Sequence, residues 1–470
     1  MKYPSTITIL HTNDLHSELD NWPAVTALLK ERRRHALKEG HDVLLFDIGD
    51  HSDRVHPMTE ALLGKGNIEL LNAMAYDAVA IGNNEGITFS KNELNHLYDD
   101  AAFPVILTNL IDPSTKRSPE WTIPSKVITL ENGIKIGVTS ATVPFKQFYT
   151  PLGWEINDPI EALDKEASQL KGQCDYLICL SHLGLNQDYK LIDQVPEFDL
   201  ILGSHTHHVL EQGEHYKGTW INQSGRSGQY IGEVTLTANG EGSLEISNIG
   251  SIPVDVTKRD SETENLLSRL NQRATCLLNE PVTMLDQPLE VDWYQDSTLP
   301  RLLADGLRTW CNTDLAMVNA GTLLNGLKPG LVTRGMLHEI CPHPINPVVV
   351  TITGEELFST MQKAETADMI HFRLRGFGFR GTVLGKMMYS SAVTFIQEEN
   401  PIDPRHVMIN NETIDFNRQY TVATLDMFTL GKLYPAIRDA GQTDILMPEF
   451  LRDILSWTLS KVNLTFGESG

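Results

Sequence analysis

Cysteine is scarce, with five in 470 residues: Cys174, Cys179, Cys276, Cys311 and Cys341. The number is odd and no pair stands in CxxC spacing, which excludes a disulfide framework and a thiolate zinc site and fits free thiols in a reducing compartment. Long apolar runs are missing too, since no stretch reaches the roughly 18 residues of a membrane-crossing helix. The start, MKYPSTITILHTND, has neither an apolar leader core nor a small-residue cleavage site, so no signal peptide is expected. Positive charge is sparse: 38 Lys and Arg against 61 Asp and Glu give a net charge of −23. That balance argues against a binder of polymeric nucleic acid and against a membrane-surface protein. A small anionic substrate stays open, because a bound metal reverses the local field. The resulting expectation is a cytoplasmic protein with no membrane partner.

What is present is ordinary globular composition, 41% hydrophobic and 21% charged. At roughly 150 residues per domain, the length suits two or three domains. In the first half, short apolar runs alternate with segments of helical periodicity. Thr6–Leu10, Val43–Ile48, Ala78–Ile81, Ile134–Val138, Tyr176–Leu180 and Leu200–Leu202 read as strands. They are too apolar to face water, so a sheet covered by helices is expected. Alternating strands follow over Thr219–Ile249. Ser261 and Glu264 form a capping-box pattern, and Leu266, Leu270, Ala274, Leu277 and Leu278 then line one helix face. A second α/β unit follows. The expected division is a first domain over 1–256, a linker helix over 257–280 and a second domain over 281–470.

Strand ends in the first half carry ligand chemistry. The segments are His11-Thr-Asn-Asp14-Leu-His16, Gly49-Asp50, Gly82-Asn83-Asn84-Glu85, Ser181-His182 and Gly203-Ser-His205-Thr-His207. Ligands of such folds gather at the carboxyl ends of strands, so these segments can converge. Imidazole and carboxylate donors suit divalent zinc, manganese or iron, and one carboxylate can bridge two ions. Asp14 and His16, like His205 and His207, lie two apart and can reach one ion together. Taken singly, Asp50 could be an N-cap, Asn83 a turn residue and His182 a satisfied histidine. The ordered set is what points to metal.

The motifs ILHTNDLH, DIGD, IGNNE, LSHLG and GSHTH resemble those of the 5′-nucleotidase/UDP-sugar hydrolase/cyclic-nucleotide phosphodiesterase family of calcineurin-like metallophosphoesterases. VNAG at 318–321 and VVVTITGEEL at 348–357 resemble the family's second domain more weakly. GNNEGIT and PHPINP resemble its cytoplasmic, YunD-like branch. The resemblance implies a four-layer α/β/β/α sandwich domain, joined by a linker helix to an α/β 5′-nucleotidase C-terminal-type domain. It also implies two divalent metal ions, manganese, zinc or iron. Asp14, His16 and His207 would hold one, Asn83, His182 and His205 the other, and Asp50 would bridge them. The implied function is hydrolysis of nucleotides or related small phosphate esters by metal-hydroxide attack. A catalytically weak metal- and nucleotide-binding sensor on the same fold is the alternative.

The sequence also departs from the family pattern. Where relatives have the histidine of GNHE, this chain has Asn84, which can stabilise an oxyanion but cannot supply a proton. His51 and Asp53, just beyond Asp50, are the candidates for substitute chemistry. In the second domain, Asn319 keeps the NxG asparagine, but Leu324 stands where relatives place a phosphate-binding arginine. The expected replacement is the segment 371–380, with Arg373 and Arg375 clamping an anion and Phe377 or Phe379 stacking on a base.

Overall fold

The computed structural model describes residues 6–239, 243–376, 378–396 and 402–466, with side chains to Lys461. The chain divides into two compact units, 1–274 and 275–470.

The first unit is built on two sheets. One has the strand order Leu244–Pro253, Tyr230–Ala238, Thr6–Thr12, Asp42–Asp47, Ala78–Val79. The other runs Glu214–Tyr216, Thr219–Asn222, Leu200–Gly203, Tyr176–His182, Lys135–Thr142, Ser125–Thr129. The central strands of both are parallel and in close register, with Leu10 beside Leu45 and Leu180 beside Leu202. Alternation along the strands decides what covers each face. Ile178, Leu180, Leu200 and Leu202 join Ile7, Ile9, Leu44 and Phe46 in one core between the sheets. Leu177, Cys179 and Ile201 point the other way, onto Leu163, Ala167 and Leu170 of helix Pro159–Leu170 and Leu191 and Ile192 of helix Leu185–Gln194. The strands are apolar on both faces because one face meets a helix layer and the other meets the partner sheet. The apolar runs alone predict a sheet covered by helices and miss the second sheet; the four-layer arrangement that the family resemblance implies is what forms.

Helix Ser261–Leu278 forms as its periodicity predicts, but its cap differs. Asp260 Oδ1 accepts from Thr263 N at 2.9 Å, while Glu264 pairs with Arg259 at 2.6 Å. The Ser261/Glu264 box is therefore displaced by an aspartate one residue earlier, a strong N-cap. The beginning of this helix is tied to helix Trp22–Lys38 by Lys30 on Asp260 at 2.8 Å and by Thr26 with Thr263 at 2.9 Å.

The second unit has a five-stranded mixed sheet, ordered Met387–Tyr389, Leu315–Asn319, Gln419–Leu425, Pro347–Thr353, Gln442–Ile445. Helices Thr298–Cys311 and Leu451–Phe466 pack closely at Gly306, where a Cβ would lie 1.9 Å from Thr458 Oγ1. Among the described residues, no helix is long and apolar enough to cross a membrane.

Candidate metal centre

Both sheets deliver side chains to the centre from their strand ends. Asp14 and His16 follow strand Thr6–Thr12, Asp50 follows Asp42–Asp47, and Asn83 opens a short helix after Ala78–Val79. From the second sheet, His182 ends its strand, and His205 and His207 follow Leu200–Gly203. Asp14, His16, Asp50, His205 and His207 have φ of 49°, 50°, 53°, 73° and 58°. Non-glycine residues rarely adopt this left-handed conformation, and such residues cluster at functional sites. A backbone ladder fixes two of the loops together: Asp14 N donates to Gly49 O at 3.0 Å, His16 N to Asp50 O at 2.8 Å, and Ser17 N to His51 O at 3.0 Å. Gly82 is required for space. A Cβ there would lie 2.0 Å from Asp50 Oδ1 and 2.5 Å from His182 Cε1.

The side chains gather into two groups, Asp14–His16–His207 and Asp50–His182–His205, each with ligand atoms within 4.8 Å of one another. In the first, His16 Nε2 faces His207 Nε2 at 3.1 Å, and Asp14 Oδ1 lies 3.8 and 3.4 Å from these nitrogens. In the second, Asp50 Oδ2 is 3.4 Å from His182 Nε2. The same Asp50 oxygen is 3.8 Å from His16 Nε2, so it stands between the groups. Each group draws on both sheets.

The donor set fits divalent cations. His182 Nδ1 donates to Ile48 O at 2.9 Å, which leaves the Nε2 lone pair for a ligand. That Nε2 and Asn83 Oδ1 are buried and without hydrogen-bond partners, a costly state unless something else engages them. Burial alone would raise the carboxylates and lower the histidines. It is outweighed at Asp14 and Asp50, which the histidines hold below the usual carboxylate range. His182, against Asp50, rises to about 10, so in metal-free protein Nε2 carries a proton that a bound cation would displace to take the lone pair. His205 falls to about 4 through burial and the neighbouring His182.

A layer that the sequence reading left unassigned orients these groups. Asp14 accepts from Ser204 Oγ at 2.5 Å, His205 N at 3.1 Å and Asn13 Nδ2 at 2.8 Å. Glu85 is buried and takes three backbone N–H groups: Asp50 N at 3.0 Å, Ser52 N at 2.7 Å and Gly82 N at 3.0 Å. Its signal was present as the last letter of GNNE. Phe145, just beyond strand Lys135–Thr142, lies 5.8 Å from the His205 ring.

The remaining expected residues fare differently. Asn84 reaches the centre, with Nδ2 2.8 Å from His16 Nδ1. His51, the candidate for substitute chemistry, is 2% exposed. Its ring is buried edge-on to Trp22 at 4.9 Å and beside Asn67. Burial lowers it to about 3, so it carries no imidazolium proton at neutral pH. Asn319 is buried and donates to Gly385 O at 2.9 Å, holding a turn together. Phe379 is a buried partner of His343, stacked at 5.3 Å and 8°, and so offers no open face to a base. Arg373 and Arg375 are exposed. Phe377 lies outside the described residues. The aromatic surface in this region comes instead from Tyr294 and His371, exposed rings stacked at 5.0 Å and 21°.

Comparison with known proteins settles the family. Residues 7–209 match the calcineurin-like phosphoesterase family, and residues 280–436 match the 5′-nucleotidase C-terminal domain. The metallophosphoesterase YunD of Bacillus subtilis is 43% identical over 97% of this chain and 99% of its own length. The chain belongs to the calcineurin-like metallophosphoesterases. A mouse 5′-nucleotidase is 24% identical over 76% of this chain and 70% of its own. The NAD nucleotidase of Haemophilus influenzae shares the fold at a TM-score of 0.69, with 16% identity, 98% of this chain and 97% of that one being covered. The enzyme class that follows is a metal-dependent phosphoric ester hydrolase.

Proposed function

We propose that this phosphoesterase hydrolyses nucleotides or closely related small phosphate esters, cyclic 2′,3′-phosphodiesters included, with two divalent ions of manganese, zinc or iron. The observation that carries the reading is Asp50 Oδ2, set between the His16 and His182 nitrogens. On this reading Asp14, His16 and His207 hold one ion, Asn83, His182 and His205 the other, and Asp50 spans both. When bound, such ions neutralise phosphoryl oxygens and make water acidic enough to attack at neutral pH. The protein's own groups do the rest. Ser204 and Asn13 fix the Asp14 carboxylate, and Glu85 fixes the Asp50 and Gly82 turns. Asn84 offers an amide N–H to an anionic oxygen and no proton to a leaving group.

In the second unit, Arg373 and Arg375 are proposed to grip an anionic part of the substrate, and Tyr294 with His371 replaces the buried Phe379 as the surface on which a base stacks. The domain boundaries at 256 and 280 and action in the cytoplasm complete the proposal. Five free cysteines fit such a compartment. No polymeric nucleic acid partner is proposed, given the net charge of −23.

Metal analysis followed by turnover on nucleoside monophosphates, cyclic nucleotides, dinucleotide pyrophosphates and nitrophenyl esters tests this. Two ions and nucleotide turnover are expected. The Asn84 substitution favours a second reading, a nucleotide-binding sensor. Turnover of nitrophenyl esters alone, with nucleotides bound but uncleaved, would select it.

A further inference from the structure

We propose that Asp53 is a positioning residue for the first ion site and acts through His16; this rests on the two-ion reading above. The two nitrogens of His16 face different surroundings. Nε2 points at His207 Nε2, at Asp14 Oδ1 and at Asp50 Oδ2, the side on which an ion would be held. Nδ1 points away, toward Asp53 Oδ2 at 3.6 Å and the Asn84 amide at 2.8 Å. A histidine that gives its Nε2 lone pair to a cation carries its proton on Nδ1, and that N–H needs an acceptor. In this structure the Asn84 amide turns Nδ2 to the ring while its Oδ1 accepts from Asn83 Nδ2 at 3.3 Å; an amide can be turned the other way, whereas a carboxylate only accepts. Asp53 is thus the group around Nδ1 that selects the ligating tautomer, and its negative charge makes the ring a better donor. The 3.6 Å separation is a charge contact just beyond hydrogen-bond distance.

The surrounding structure holds Asp53 for this task. It is 3% exposed. Its Oδ1 accepts from Val55 N at 2.9 Å, and its Oδ2 is the oxygen that faces His16. Its backbone N–H donates to Ser17 Oγ at 2.8 Å, bonding it to the loop that carries His16. The adjacent cation, Arg54, has its guanidinium on Glu60 at 2.8 and 3.2 Å. In sequence this is the fourth residue of Asp50-His51-Ser52-Asp53, on the bridging aspartate's own loop. The site therefore has a carboxylate behind His16, a backbone carbonyl behind His182 and an amide where a proton donor is common.

The test is a titration of metal-free full-length protein with manganese, followed by calorimetry, with the metal-free melting temperature recorded for each variant. Wild type is expected to bind two ions. Asp53→Asn should keep one site at wild-type affinity and weaken the other by ~10–100-fold, with the metal-free melting temperature unchanged. Asp53→Glu, which retains charge and acceptor, should weaken that site less than Asp53→Asn does. In a His16→Ala background, adding Asp53→Asn should change affinity by no more than about twofold, because its route of action is gone. Asp53→Ser replaces Asp53→Asn in the series if the latter does not fold. Wild-type affinity at both sites in Asp53→Asn overturns the proposal, as does an undiminished Asp53→Asn effect without His16. Fewer than two ions in wild type overturns the two-ion reading and the proposal with it, which separates the two failures.

Discussion

At the scale of single residues, the centre is sensitive to charge and to volume at neighbouring positions. Asp50→Asn removes the one negative oxygen between the two histidine groups. The expected outcome is loss of bound metal and a fall in kcat on the order of 10²-fold or more, read by metal analysis and steady-state kinetics; two retained ions with normal turnover would refute the bridge. Gly82→Ala changes no charge but puts a Cβ 2.0 Å from Asp50 Oδ1. It should lower metal content while Ala substitution at the open Gly133, which has nothing within 4 Å, leaves metal content unchanged. For the substrate end, Tyr294→Ala should raise KM for nucleotides and leave a nitrophenyl ester unaffected; equal changes on both would remove the stacking role. The ligand-bearing residue types were readable in sequence because each sits at the end of an apolar strand in a short polar motif. The surroundings of His51 were not legible, because Trp22 and Asn67, which stand against its ring, are remote in sequence. Phe379 was misread for a similar reason: its partner His343 is remote in sequence, and a buried stack has no local signature.

At the scale of elements, helix Ser261–Leu278 is more than a spacer. Its capping aspartate is ion-paired to Lys30, Thr263 meets Thr26, and Arg273 reaches Glu69 at 2.6 Å. A fragment ending at residue 278 should therefore fold and bind metal, since all seven proposed ligands precede the helix. A fragment ending at 256 should melt at a lower temperature. Calorimetry on the two fragments compares them directly, and a folded 1–278 fragment without metal would show that the second unit completes the site. Periodicity made this helix legible, but the cap was displaced by one residue because two capping-competent residues, Asp260 and Ser261, adjoin. The strands were legible as apolar runs. That the second face of each sheet is another sheet was legible only through the family motifs and not in the runs themselves, because a helix and a sheet select the same apolar side chains.

At the scale of the whole molecule, pH and metal act on the fold in opposite senses. Burial raises the Asp426 carboxyl to about 7, even though it accepts from the backbone of Asn346 and Met427. An acid raised by folding holds its proton longer in the native state, so its contribution is fully present below the unfolded value near 4 and is lost as pH climbs through about 7. Metal-free protein should lose stability from this group across that window, by up to about 4 kcal/mol. Asp426→Asn should flatten the decline in melting temperature between those pH values; an unchanged slope would show that the carboxyl is ionised in the fold. Metal works the other way through the arrangement of the ligands. Asp14, His16 and Asp50 belong to one sheet's ends and His182, His205 and His207 to the other's. A cation held by either group is thus a rivet across the sandwich, at the edge where the inter-sheet core gives way to polar loops. Amide hydrogen exchange in the loops 13–17, 49–53 and 203–208 should slow together when manganese is added, while exchange at the opposite strand ends stays as it was.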